Sequence, residues 1–198
     1  MPLLIAPYPF YLIRHGQTDW NVEGRFQGSI DIPLNDTGRG QAKRNGLAFK
    51  KDLPNVTGWR FISSPLSRAR ETMEILRSNA GLDPYTYNLD PLLREVSYGD
   101  WERQTVEEIS AINPEGISER AINKWGFVPP NGESYMMLAD RIRAVLSSLD
   151  CPTVITAHGG VLRAVYYLID AMDPEEAAIA EVPQDRFLFV DGSSLRWV

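Results

Sequence analysis

The sequence predicts an α/β fold, a three-layer α/β/α sandwich whose central sheet is mostly parallel with an antiparallel edge. Three observations carry that reading. Short β-branched or aromatic runs alternate with segments of helical apolar spacing, the pattern of parallel strands joined by crossover helices. The helical segments bring their own start and stop signals. The C-terminal segment instead shows two strand patterns around Asp191-Gly192, the mark of a hairpin.

The elements follow in order. The opening MPLLIAPYPFYLI is apolar, but it lacks a basic leader and is interrupted by Pro2, Pro7 and Pro9. It therefore reads as the lead-in to a first strand over 10–13 and not as a signal peptide. A second strand is expected over 59–63 (WRFIS). Ser64 and Pro65 then read as the N-cap and first-turn proline of a helix with the stripe Leu66, Ala69, Met73 and Leu76, ended by Gly81. A weaker strand-like segment, 90–98, sets Leu92-Leu93 before Arg94-Glu95. Thr105 with Glu108 is a capping box for a short helix, with Pro114 beyond its end. Ser134 opens a longer helix with the stripe Leu138, Ile142, Val145 and Leu149. The third clear strand, 152–157 (PTVITA), leads into a helix marked by Val161, Val165, Leu168 and Met172. Residues 186–190 and 194–198 close the hairpin. No repeat, low-complexity tract or Gly/Ser linker divides the chain, so 1–198 reads as a single domain.

Composition narrows the function. The 198 residues, 43% hydrophobic and 23% charged, fit a soluble globular domain with a substantial core. The net charge of −6, with no basic run to offset it, argues against nucleic acid or an anionic membrane as partner. It does not describe one pocket, which can be basic inside an acidic protein. The single cysteine, Cys151, excludes an internal disulfide and a thiolate metal cluster, and is expected as a small core residue before the third strand. No stretch approaches the roughly 20 apolar residues of a membrane-spanning helix, and the cytoplasm is the default location. No residues show metal-ligand spacing. The assembly state is open, a homodimer included.

In an open α/β sheet the ligand site lies beyond the carboxyl ends of the strands, so residues following each strand are a test independent of motifs. The first strand is followed by Arg14-His15-Gly16, the second by the helix start carrying Arg68, and the third by His158-Gly159-Gly160. The weaker segment adds Glu95. The chain has two histidines in all, and both stand in such a place with glycine next. Glycine there lets the chain turn sharply and its N–H groups approach a ligand.

YLIRHGQTDWN followed by RFQG resembles the signature of the histidine phosphatase superfamily, the phosphoglycerate mutase-like proteins. Ser64-Pro65-Leu66-Ser67-Arg68-Ala69 with Thr72 is similar to that family's S-x-L-x-R-A-x-x-T helix start. Leu93-Arg94-Glu95 with Tyr98-Gly99-Asp100-Trp101-Glu102 is similar to its L-x-E-x-x-[FY]-G-x-W-E segment. Pro130-Asn131-Gly132-Glu133-Ser134 and Ala157-His158-Gly159-Gly160 complete five motifs in the family's order.

The resemblance implies phosphoryl transfer onto His15 through a neutral ring nitrogen, the other nitrogen being held as N–H by an acceptor. Arg14 and Arg68 are expected to clamp the non-bridging oxygens, which suits a planar, permanently charged guanidinium. His158 is expected to add a donor as an imidazolium. Asn21 and Gln27 match family positions that touch the phosphate, and Gly159 joins them as a substrate-binding residue. Glu95 is the candidate general acid that protonates the leaving alcohol and then activates water. Its competitor is Glu102; Glu95 is preferred because it follows Leu92-Leu93 and holds the family's acid position. Arg94 is assigned to a surface ion pair, and Glu133 and Ser134 to capping the helix they open, with a contact that supports the site residues from behind as the alternative. Trp101, Trp125 and Phe127 stand between pocket lining and packing.

The implied activity is metal-independent, cofactor-free hydrolysis of small phosphorylated metabolites. A cofactor-dependent phosphoglycerate mutase is the first alternative. Those mutases are longer between the acid and the P-x-G-E-S motif, whereas here only residues 96–129 separate Glu95 from Pro130. A non-catalytic phospho-ligand binding module is the second, and it predicts a lost histidine, arginine or acid; none is missing. The chain departs from the common W-E-G at Arg103, which puts a charge near the pocket mouth.

Overall fold

The computed structural model describes residues 3–198, so Pro2 lies outside the described residues. Among these, six strands form one sheet: β1 Phe10–Arg14, β2 Arg60–Ser63, β3 Asn88–Leu89, β4 Thr153–Ala157, β5 Leu188–Asp191 and β6 Ser194–Trp197. Their order is β3-β2-β4-β1-β5-β6. The first four strands run parallel, and β5 and β6 add to β1 as an antiparallel edge. The turn of that edge hairpin uses Gly192 at φ 62, a left-handed conformation that glycine adopts without strain.

Eight helices flank the sheet: α1 Asp19–Val22, α2 Asp36–Asp52, α3 Ser67–Ala80, α4 Val106–Ile112, α5 Pro114–Ile122, α6 Tyr135–Ser147, α7 Gly159–Ile169 and α8 Pro174–Ile179. Successive side chains of a strand face opposite sides, and here both sides are covered. Phe10, Leu12 and Ile155 pack with Leu138 and Ile142 of α6 and Val165 of α7. Tyr11, Ile13 and Val154 pack on the other side with Phe49 of α2 and Met73 and Leu76 of α3. Full burial of each large apolar side chain contributes about 1.5–3 kcal/mol, so the central strands, and whatever follows them, are firmly held. The three-layer sandwich is present as expected.

Signals set by neighbours along the chain are realised. Thr105 and Glu108 form both halves of the capping box of α4, and Ser134 caps α6 by accepting from Met137 N–H. Gly81, at φ 82, ends α3. Elsewhere packing decides. Ser64 and Pro65 precede the helix, whose cap position is Leu66 without a side-chain cap bond. Leu92-Leu93 belong to a 3₁₀ turn, 91–93, and the short strand is β3, just before it. Leu149 and Met172 lie past the ends of α6 and α7. Cys151 is only half-buried, because it lies before β4 and outside the sheet.

Candidate active site

Strand register brings the two histidines together. β1 and β4 are adjacent and parallel, with Arg14 opposite Ala157, so the next residue of each, His15 and His158, emerges at the same rim. The ring centroids are 5.2 Å apart. β2 is paired with β4 so that Ser63 faces Thr156, which sets Ser64 beside His158. Sheet pairing alone thus assembles three polar groups from three distant segments.

His15 is buried, and its Nδ1 lies 2.7 Å from the Gly16 carbonyl oxygen. A carbonyl only accepts, so Nδ1 carries the proton and Nε2 keeps its lone pair. Burial, then the Arg68 and Arg14 charges, hold the imidazole well below the usual histidine range. His15 is therefore a neutral base at neutral pH, as its candidate role requires. The turn that supplies the acceptor is fixed by close packing: Gly16 N–H donates to Thr72 Oγ1 at 3.1 Å. A Cβ at Gly16 would lie 2.3 Å from the Gly38 carbonyl oxygen at the start of α2.

His158 Nε2 is 2.7 Å from Ser64 Oγ. That hydroxyl also accepts from Leu66 N–H at 3.4 Å. The surroundings of His158 oppose the imidazolium expected for it. Burial, followed by the Arg68 charge, holds it well below the usual range, and the ring offers one N–H as a neutral group.

Arg14 Nη1 donates to the Val182 carbonyl at 2.6 Å. Arg68, fully buried, donates to the carbonyls of Ile30 at 2.7 Å and Gly28 at 2.8 Å. Burial pushes Arg68 down to about 10, with Glu95 the largest opposing charge, so it stays cationic at neutral pH. Both guanidiniums are locked by carbonyls, yet Arg14 Nε and Arg68 Nε have no partner, and neither has His158 Nδ1 or Gln27 Oε1. Buried donors normally find acceptors. Two unpartnered guanidinium N–H groups beside a bare histidine nitrogen make a cradle for an oxyanion.

The cavity there is about 110 Å³, lined by Arg14, His15, Asn21, Gln27, Arg68, Glu95 and Gly159, all expected, whereas His158, also expected, is buried beside His15 and is not part of the lining. Arg25, Phe26, Gly28, Tyr98 and Arg163 line it too, and sequence reasoning missed them. Arg163 had a readable signal, since it follows Gly159 by one helical turn on α7. Asn21 spends its carbonyl oxygen on Thr18, where it completes the capping box of α1, and on Gln184 at 3.2 Å. Its amide hydrogens are what it has left to offer a ligand.

Glu95 lies on irregular chain and is held from two directions. Its carboxylate accepts Val96 N–H at 2.9 Å and Gly160 N–H at 3.0 and 3.2 Å, the latter at the start of α7. A Cβ at Gly160 would lie 2.3 Å from Glu95 Oε1, so this approach requires glycine. From behind, Arg141 of α6 donates to the carbonyls of Leu92, Arg94 and Glu95. Arg141 is itself paired with Glu133 at 2.9 and 3.0 Å, and Glu133 accepts Ser97 N–H. Glu133 thus clamps the Glu95 segment and does not cap α6.

Glu102 is occupied elsewhere. It accepts from the Ser29 and Tyr98 N–H groups and the Ser29 and Ser97 hydroxyls, tying two loops together outside the cavity lining. Arg94 is exposed and forms no ion pair among the described residues. Trp101 stacks on Phe127 and Trp125 on Tyr135, and none of Trp101, Trp125 and Phe127 lines the cavity. Arg103 does not line it either. It sits at φ 78, which explains why glycine is usual there, and its backbone bonds Phe26 and Arg25.

The comparisons agree with this geometry. Residues 10–187 match the histidine phosphatase superfamily (branch 1). The uncharacterised phosphatase PhoE of Bacillus subtilis is 35% identical over 170 residues, 83% of this chain and 78% of that one. The glucosyl-3-phosphoglycerate phosphatase of Mycolicibacterium vanbaalenii is 31% identical over 201 residues, 94% of this chain and 81% of its own. The crystal structure of phosphoglycerate mutase from Thermus thermophilus superposes with a TM-score of 0.70 at 35% identity, covering 92% of each chain. The chain belongs to the histidine phosphatase superfamily, branch 1.

Proposed function

We propose that this protein hydrolyses small phosphorylated metabolites, passing the phosphoryl group to His15 Nε2 and then to water. The observation that carries the reading is the neutral, Nδ1-protonated His15 in a cavity lined by Arg14 and Arg68, each with an unpartnered Nε–H. In the first step Nε2 attacks phosphorus, the P–O bond to the alcohol breaks, and Glu95 delivers a proton to the departing oxygen. In the second, Glu95 takes a proton from water, the water oxygen attacks phosphorus, and the P–N bond breaks. Neutral His15 and inorganic phosphate are left. Arg14, Arg68 and His158 hold the non-bridging oxygens, and phosphoryl transfer asks mainly for such positioning and charge stabilisation.

The same reading needs neither metal nor cofactor, and takes residues 1–198 as one domain. It places the protein in the cytoplasm, as a monomer or homodimer, acting on neither nucleic acid nor membrane. No helix among the described residues is long and apolar enough to cross a membrane. A phosphoglycerate mutase is the second reading, favoured by the Thermus neighbour; the short connection from Glu95 to Pro130 favours hydrolysis.

Protein quenched in mid-turnover should carry acid-labile, base-stable phosphate on His15, and His15→Ala should lose turnover while keeping its fold. Activity should survive a strong chelator. Labelled phosphate on another side chain, or recovery that depends on a divalent cation, would overturn the reading. Isomer exchange of phosphoglycerates without phosphate release would select the mutase.

A further inference from the structure

We propose that the pocket mouth binds a second anionic group of the same substrate, a carboxylate or another phosphate, through Arg163 with Arg120 and Lys124 beside it. The proposal rests on the phosphatase reading above and deepens it. Arg163 stands one helical turn after Gly159 on α7, and both line the cavity around His15. Its partners are uncharged: Nε donates to the Ala180 carbonyl at 3.2 Å and Nη1 to the Tyr135 hydroxyl at 3.3 Å. Arg120 of α5 sets its guanidinium carbon 5.2 Å from the centre of the Phe26 ring, which also lines the cavity.

Lys124 completes the group. Burial, then the Arg120 and Arg163 charges, push its ammonium down to about 8, with Glu175 the weaker opposing influence. Among the described residues none of the three cations forms an ion pair. The nearby carboxylates are engaged. Glu108 pairs with Arg25, and Glu175 accepts the N–H groups of Lys124 and Trp125. Three cations gathered beside one pocket of a chain of net charge −6 repel one another until an anion joins them. The transferred phosphoryl group is met deeper, by Arg14 and Arg68.

Matched probes test this. 3-Phosphoglycerate and glycerol 3-phosphate differ by a carboxylate in place of a hydroxymethyl group; fructose 1,6-bisphosphate and fructose 6-phosphate differ by a phosphate. Affinities are measured by calorimetry on His15→Ala protein, and kcat/KM on protein with His15 intact. The doubly anionic member of at least one pair should bind about tenfold tighter or more, and the responding pair tells carboxylate from phosphate. Arg163→Gln should erase most of that preference, costing the doubly anionic member several-fold more than its partner; Lys124→Gln should act in the same direction. Equal affinity within both pairs, or equal losses for both members in Arg163→Gln, would overturn the proposal. Binding preference without turnover would instead sink the phosphatase reading and leave the second-anion site standing.

Discussion

The two sides of the pocket are built differently. His15, His158 and Arg14 sit at the carboxyl ends of β1 and β4, and Arg68 at the start of α3. There strand register and apolar packing on both faces of the sheet fix them, with the Ser64 and Thr72 hydroxyls as added side-chain contacts at His158 and Gly16. Glu95 sits between two 3₁₀ turns, where no ladder holds the backbone. Its place depends on Arg141, which grips three carbonyls of that segment, on Glu133, and on the glycine at 160. Two of the three non-glycine residues at positive φ among the described residues, Arg103 at φ 78 and Asn131 at φ 58, lie on the chain around this side, and the third is Ala171. A group placed by a sheet inherits its precision from the core, whereas one on irregular chain needs a polar frame of its own.

The sharpest way to divide the two sides is Glu95→Gln. The amide oxygen can still accept Gly160 N–H, but the group can neither give up nor take a proton. Substrates with alkyl leaving groups should lose about 10²–10⁴-fold in rate, the range of general acid–base catalysis. An aryl phosphate, whose leaving group needs little protonation, should still phosphorylate His15 and give a burst followed by a slow steady rate. Glu102→Gln should give no burst. Equal losses for alkyl and aryl substrates would remove Glu95 from the role.

The frame itself comes next. Arg141→Lys keeps the charge but cannot hold three carbonyls and a bidentate carboxylate at once. We expect kcat for alkyl phosphates to fall about 10–100-fold, the scale of a small misplacement of a catalytic group. KM should change little, because the oxyanion cradle stands on the other side. A parallel rise in KM, with loss of phosphate binding, would show that the two sides are not separately held.

The smallest effect is expected at Arg103. Its left-handed backbone costs about 1–2 kcal/mol in a residue with a Cβ, and glycine relieves this while giving back about 0.4–1 kcal/mol through a freer unfolded chain. Arg103→Gly should therefore raise the unfolding free energy slightly, by roughly 1 kcal/mol or less, read as a small rise in the denaturant midpoint. A clear fall would mean that the Arg103 side chain supports the loop it shares with Arg25 and Phe26.

The sequence by itself determined what neighbours along the chain decide. β1 and β4, the apolar stripes of α3, α6 and α7, the capping box of α4 and the terminal hairpin were all legible, because periodicity and caps record local burial and local hydrogen bonds. So were His15, Arg14, Arg68, His158 and Glu95 as a set, through the strand ends and the ordered motifs. Only the tertiary structure decided the rest. α2 carries no readable stripe: its buried face is Gly38, Ala42, Asn45, Gly46 and Phe49. Small residues stand there because α3 comes too close for others, and a Cβ at Gly46 would lie 2.6 Å from the Leu76 carbonyl oxygen. Ser64 reads as a helix cap, yet the pairing of β2 with β4 turns it into the partner of His158. Leu92-Leu93 reads as a strand, yet Leu93 N–H closes a turn on the Asp90 carbonyl and the Leu92 carbonyl is taken up by Arg141. The neutral state of His158 follows from its burial beside Arg68. Close approach, proton position and shared charge depend on atoms far apart in sequence, and a one-dimensional pattern carries no record of them.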